Sequence, residues 1–136
     1  MSSIILVVKT IRQTHQIKAP VEKVWKVLVD CKEIEGWGGG PCEMDDKVGT
    51  KFKLWGGDVH GKNIEVVPEK KLVQEWYEGD WPEPSIVDFR LTSKDDGTQV
   101  QLLHERVPDS EYESIDKGWN KYYLGPLKVY VEALRE

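Results

Sequence analysis

This chain is poor in the residues that build metal, redox and membrane chemistry. Its 136 residues include two cysteines, two methionines and three histidines. Cys31 and Cys42 have no second pair, and their spacing matches no zinc motif, so no metal site is expected. A disulfide is open to them on count alone, but nothing else marks a secreted protein, and the expectation is two reduced thiols. The longest apolar run, Ile4 to Val8, is far too short to span a membrane. The N-terminus lacks the basic stretch and long apolar segment of a signal peptide, which predicts a cytoplasmic protein without membrane insertion. Basic residues are also in deficit: 19 Lys and Arg against 24 Asp and Glu give a net charge of −5. No basic stripe follows any predicted strand or helix, so nucleic acid and anionic membranes are not expected partners.

Tryptophan is in excess. Six occur, most of them near glycine or proline. Each can bury a large aromatic area and still present an N–H donor, so they suit a core, a cavity wall or an interface anchor. The length predicts one domain, 1–136, large enough to bury a core without staples.

Ile4 to Ile17 is rich in β-branched residues and reads as a first strand. Pro20 then suits the start of a helix, in which Val21, Val24, Trp25 and Leu28 share one face. Lys32 to Glu35 reads as one more helical turn. The run Gly36-Trp37-Gly38-Gly39-Gly40-Pro41 reads as a loop, because so many glycines are costly in regular structure. Strands follow near Cys42 to Met44, then at Thr50–Trp55, Asp58–Val67, Lys71–Gly79, Ser85–Ser93 and Thr98–Val107, with Asp95-Asp96-Gly97 as a hairpin turn. A last helix from Glu111 to Arg135 carries Ile115, Trp119, Tyr123, Leu127, Tyr130 and Leu134 on one stripe. Gly125-Pro126 predicts a kink or a break at Gly125, with Pro126 opening the second piece. This order means α+β: a twisted antiparallel sheet of about seven strands wrapped around a long C-terminal helix, with one or two short helices after the first strand.

Trp55-Gly56-Gly57 with Gly61, Val67-Pro68-Glu69, Val73-Gln74-Glu75-Trp76, Trp81-Pro82, and Gly118-Trp119 with Tyr122-Tyr123 and Leu127-Lys128 resemble one family. It is that of the activators of heat-shock-protein-90 ATPase (AHSA-type), within the START-like, birch-pollen-allergen-like (SRPBCC) superfamily. The resemblance covers nearly the whole chain and implies the helix-grip fold. That fold hosts both small-molecule binders and protein-binding modules.

Catalytic signatures are missing. There is no His-x-His, no His-Glu-x-x-His and no Gly-x-Ser-x-Gly elbow. No carboxylate pair stands out on an apolar face; Glu75 and Glu78 read as solvated, and Asp88 with Arg90 as a surface pair. Alternation puts Ser85, Val87, Phe89 and Leu91 on the inner face of one strand, and Val100, Leu102, His104 and Arg106 on that of the next. His104 is either a hydrogen-bonded sheet histidine or a ligand contact. Trp37 is either a mobile gate at a pocket rim or a side chain packed on the domain.

The leading expectation is therefore a non-enzymatic domain, without cofactor, holding an apolar small molecule between sheet and last helix. The expected pocket residues are Trp25, Trp37, Trp76, Phe89, His104, Trp119 and Tyr123. The alternative is a protein-interaction module that stimulates a chaperone ATPase, with Trp55 and Trp81 in an exposed aromatic patch. A weaker third reading is a cyclase- or dehydratase-like enzyme. An exposed sheet edge permits a monomer or a weak dimer.

Overall fold

The structure, a computed structural model, describes residues 7–134. Ile4 and Ile5 of the expected first strand, and Arg135 of the expected last helix, lie outside the described residues. Strands β1 (Val8–Ile17), β2 (Lys51–Leu54), β3 (Val59–Val67), β4 (Lys71–Glu78), β5 (Ser85–Lys94) and β6 (Gly97–Pro108) form one antiparallel sheet in the order β1-β6-β5-β4-β3-β2. The short strand expected near Cys42 to Met44 is present only as an isolated bridge from Glu43 to Lys53. Among the described residues no helix is long and apolar enough to cross a membrane.

The period-two pattern decides which face is core. Ser85, Val87, Phe89 and Leu91 are buried, while Arg90 is exposed beside the Asp88 carboxylate at 3.3 Å. In β6 the alternation holds from Thr98 to His104 and then slips. Arg106, expected on the inner face, is exposed in a left-handed conformation with φ 64°, and Val107 takes the buried place. A bulge in the pairing opposite, between Lys9 and Ile11, inserts the extra residue. One added residue turns every later side chain to the other face.

Helix α1 (Val21–Val29) begins right after Pro20, whose carbonyl accepts from the N–H groups of Lys23 and Val24. It buries Val24, Trp25, Val27, Leu28 and Val29. Asp30 breaks the helix in extended conformation and caps α2 (Cys31–Trp37), its carboxylate accepting from Lys32 N–H at 2.9 Å. Helix α2 is longer than the sequence suggests, because Gly36 is helical rather than part of the loop. The Tyr130 ring packs over it, 2.6 Å from where a Cβ would sit.

The expectation of two free thiols is corrected: Cys31 and Cys42 form a disulfide. The paired Glu43 and Lys53 backbones return the chain beside the start of α2 and set the two Cα atoms 5.5 Å apart, within bridging distance.

The C-terminal helix is a composite of α3 (Tyr112–Gly118), a π-helical turn (Trp119–Tyr123) and α4 (Leu124–Ala133). The distortion falls just before Gly125 rather than at it. Leu124 N–H reaches back five residues to the Trp119 carbonyl. Pro126 thus lies in the first turn of α4, where its missing N–H costs little. The wide turn puts Trp119, Tyr123 and Leu124 all against the sheet, followed by Leu127 and Val131. Tyr130 is half-buried and Leu134 exposed, so the expected stripe ends early.

Candidate aromatic cleft

An unbroken aromatic cluster joins the helix to the sheet. Trp119 and Tyr123 on the π-helical turn meet at 4.6 Å between ring centroids. Trp119 stacks on Trp76 of β4 at 5.4 Å and meets Phe89 of β5 edge-on at 5.7 Å. Tyr123 touches Phe89 at 5.8 Å, Trp37 of α2 at 4.9 Å and Trp55 at 5.9 Å.

His104 lies beneath this cluster, fully buried. Its hydrogen bonds fix its tautomer. Trp119 Nε1 is only a donor and stands 3.0 Å from His104 Nδ1, so Nδ1 is the unprotonated acceptor. Nε2 then carries the hydrogen and donates to Ser85 Oγ at 2.8 Å, and Ser85 donates onward to the Trp76 carbonyl at 2.8 Å. Burial pushes the His104 pKa down to about 3, so the ring is neutral near pH 7. The chain Trp119–His104–Ser85–Trp76 ties the stacked indole pair to β5 and β6. His104 is thus hydrogen-bonded at both ring nitrogens and does not line the cleft.

Beside the stacked indoles a cleft of about 490 Å³ opens between the sheet and the C-terminal helix. Trp55, Trp76, Trp119, Tyr122 and Tyr123 supply its aromatic wall, with Val59 and Ile115 beside them. Asp58 just before β3, Glu78 at the end of β4 and Ser114 on α3 supply its polar groups. Glu78 was expected to be solvated but is half-buried; burial raises its pKa, and the neighbouring Glu111 and Asp58 charges add to the rise. Two polar atoms of the wall, Trp76 Nε1 and Tyr123 Oη, are buried without a hydrogen-bond partner, whereas the third such atom among the described residues, Gln74 Oε1, belongs to no cleft residue. Burial raises the Tyr123 pKa, so the phenol keeps its proton.

Of the seven pocket residues expected from sequence, Trp76, Trp119 and Tyr123 line the cleft. Phe89 and His104 form the layer beneath. Trp37 is buried, donates from Nε1 to the Val27 carbonyl at 2.8 Å and packs on Tyr123, so it is a core side chain rather than a gate. Trp25 is buried on α1 and does not line the cleft. Trp55 and Trp81, expected as an exposed patch, are half-buried. Trp55 joins the cleft wall, and Trp81 packs on Trp76 while donating to the Glu111 carboxylate at 2.9 Å. Sequence reasoning missed Asp58, Glu78 and Ser114 as cleft residues. The adjacency of Asp58 to the Trp55-Gly56-Gly57 turn was the one available signal.

The chain matches the family described as Activator of Hsp90 ATPase homolog 1-like protein over residues 18–132. It is 25% identical over 123 residues to the Activator of 90 kDa heat shock protein ATPase homolog of Dictyostelium discoideum, covering 88% of this chain and 32% of that protein. It is 28% identical over 109 residues to the Activator of 90 kDa heat shock protein ATPase homolog 1 of Homo sapiens, covering 79% of this chain and 32% of that protein. The crystal structure of PFC0360w, an HSP90 activator from Plasmodium falciparum, superposes with a TM-score of 0.79 at 28% identity, covering 88% of this chain and 94% of that one. The chain thus spans about a third of the length of these two curated relatives.

Proposed function

This chain belongs to the Activator of Hsp90 ATPase homolog 1-like protein family, and from that footing we propose that it is a binding domain for a small, ring-bearing apolar molecule. The molecule lies in the cleft between the β3–β4 end of the sheet and the π-helical turn. One observation carries the reading: an aromatic cleft of about 490 Å³ with a few polar groups, Asp58, Glu78 and Ser114, on its lining. Ligand sites are typically apolar clefts of about 300–1,000 Å³ with a few placed polar groups. Trp55, Trp76 and Trp119 make the cleft optically addressable. Titration with 1-naphthol should change tryptophan fluorescence saturably, and Ser114→Trp, an exposed change at the cleft, should remove the effect with the melting temperature kept. A response that survives Ser114→Trp places the probe elsewhere and sinks the reading. Native mass spectrometry of the purified protein then weighs any co-purified molecule.

A second reading is a module that binds and stimulates a chaperone ATPase. It is favoured by family membership and by the names of the relatives, which are longer proteins. Measuring ATP hydrolysis by the 90 kDa chaperone with and without this chain decides it, and unchanged hydrolysis with no complex on a sizing column would rule it out.

A further inference from the structure

We infer that the cleft selects a small organic amine in its ammonium form, with the aromatic part inside and the cation between Asp58 and Glu78. The inference rests on the binding-domain reading above and adds the charge class of the ligand. The cleft lining contains two carboxylates and no lysine, arginine or histidine. Among the described residues, neither Asp58 nor Glu78 takes part in an ion pair. Glu111 adds a third carboxylate close enough to raise the Glu78 pKa. An ammonium group placed there neutralises this repulsion.

The aromatic wall suits the same charge. Indole rings attract cations best, and Trp55 is the half-buried indole of the cleft wall, whereas Trp76 and Trp119 stack on each other and are nearly covered. The Tyr122 ring already carries Lys121 Nζ at 5.2 Å and is left out. Deeper in, the side chains of Trp76 and Tyr123 are 4% and 2% exposed, and each keeps one unpartnered polar atom. An anion gains nothing here, because both carboxylates oppose it.

A matched series separates charge from shape: 4-phenylbutylamine, 4-phenylbutanol and 4-phenylbutyrate, titrated by calorimetry at neutral pH against the full chain. The amine should bind about tenfold more tightly than the alcohol, and the carboxylate weakest. Glu78→Gln and Asp58→Asn should each weaken the amine about three- to tenfold and leave the alcohol unchanged. Ser114→Trp should weaken all three. If alcohol and amine bind alike, or if Glu78→Gln and Asp58→Asn leave the amine's advantage intact, the charge inference is overturned while the cleft reading stands. If no member of the series binds, both are overturned.

Discussion

Single atoms decide the behaviour of His104 and Glu78. The neutral His104 ring accepts from Trp119 and donates to Ser85, an arrangement that protonation at Nδ1 would break. Its folded pKa of about 3 lies below the ordinary 6.5. The unfolded chain therefore takes up a proton below pH 6.5 that the folded chain refuses until about pH 3. Stability from this site is full above pH 6.5 and drains away as the pH falls to about 3, by an amount on the order of 4 kcal/mol. Denaturant melts across that window should show a shallower acid slope for His104→Gln than for the parent; equal slopes would show that His104 carries no such linkage. Glu78 runs the other way. Its raised pKa means that the folded chain prefers the neutral acid, so its ionisation destabilises the fold as pH rises. Glu78→Gln should raise the melting temperature at neutral pH and leave it nearly unchanged in acid; a lower melting temperature at neutral pH would contradict the repulsion from Asp58 and Glu111.

At the scale of elements, the C-terminal helix carries most of the information. Proline and glycine at 125–126 announced an irregularity, but local sequence does not say which turn absorbs it. The π-helical turn does, because it lets Trp119, Tyr123 and Leu124 face the sheet together. A Cβ on Gly125 would fall inside the Asn120 carbonyl oxygen. Gly125→Ala should therefore cost about 1–3 kcal/mol and loosen the Trp119–Tyr123 contact, seen as lower stability with altered near-ultraviolet circular dichroism. A neutral effect on both would mean that the turn relaxes freely. Strand alternation was legible from Ser85 to Leu91 and from Val100 to His104, since a period of two is local. It failed at Arg106, where a bulge against β1 reset the phase, and bulges depend on the partner strand.

For the whole molecule, the disulfide is the largest departure from expectation. Cys31 and Cys42 close a loop with a sequence separation of 11 that contains Trp37. Chain-entropy reasoning for a loop of this size gives about 3 kcal/mol. Reduction, or the pair Cys31→Ser with Cys42→Ser, should lower the unfolding free energy by about 2–3 kcal/mol while keeping the far-ultraviolet spectrum. Equal stability of oxidised and reduced protein would show that the pairing of Glu43 with Lys53 alone holds the loop.

Sequence by itself determined the element order, the inner faces of β5 and most of β6, the short helices after the first strand and the helix-grip architecture. These follow from periodicity, turn residues and the resemblance of motifs spread along the chain. Only the tertiary structure decided the cleft. Asp58 lies just before β3, Glu78 ends β4 and Ser114 is on α3, and only packing brings these distant positions together. It also decided that Trp37 is core and Trp55 is wall. Each tryptophan offers the same large ring and N–H donor, and position in sequence does not tell which neighbour will cover it.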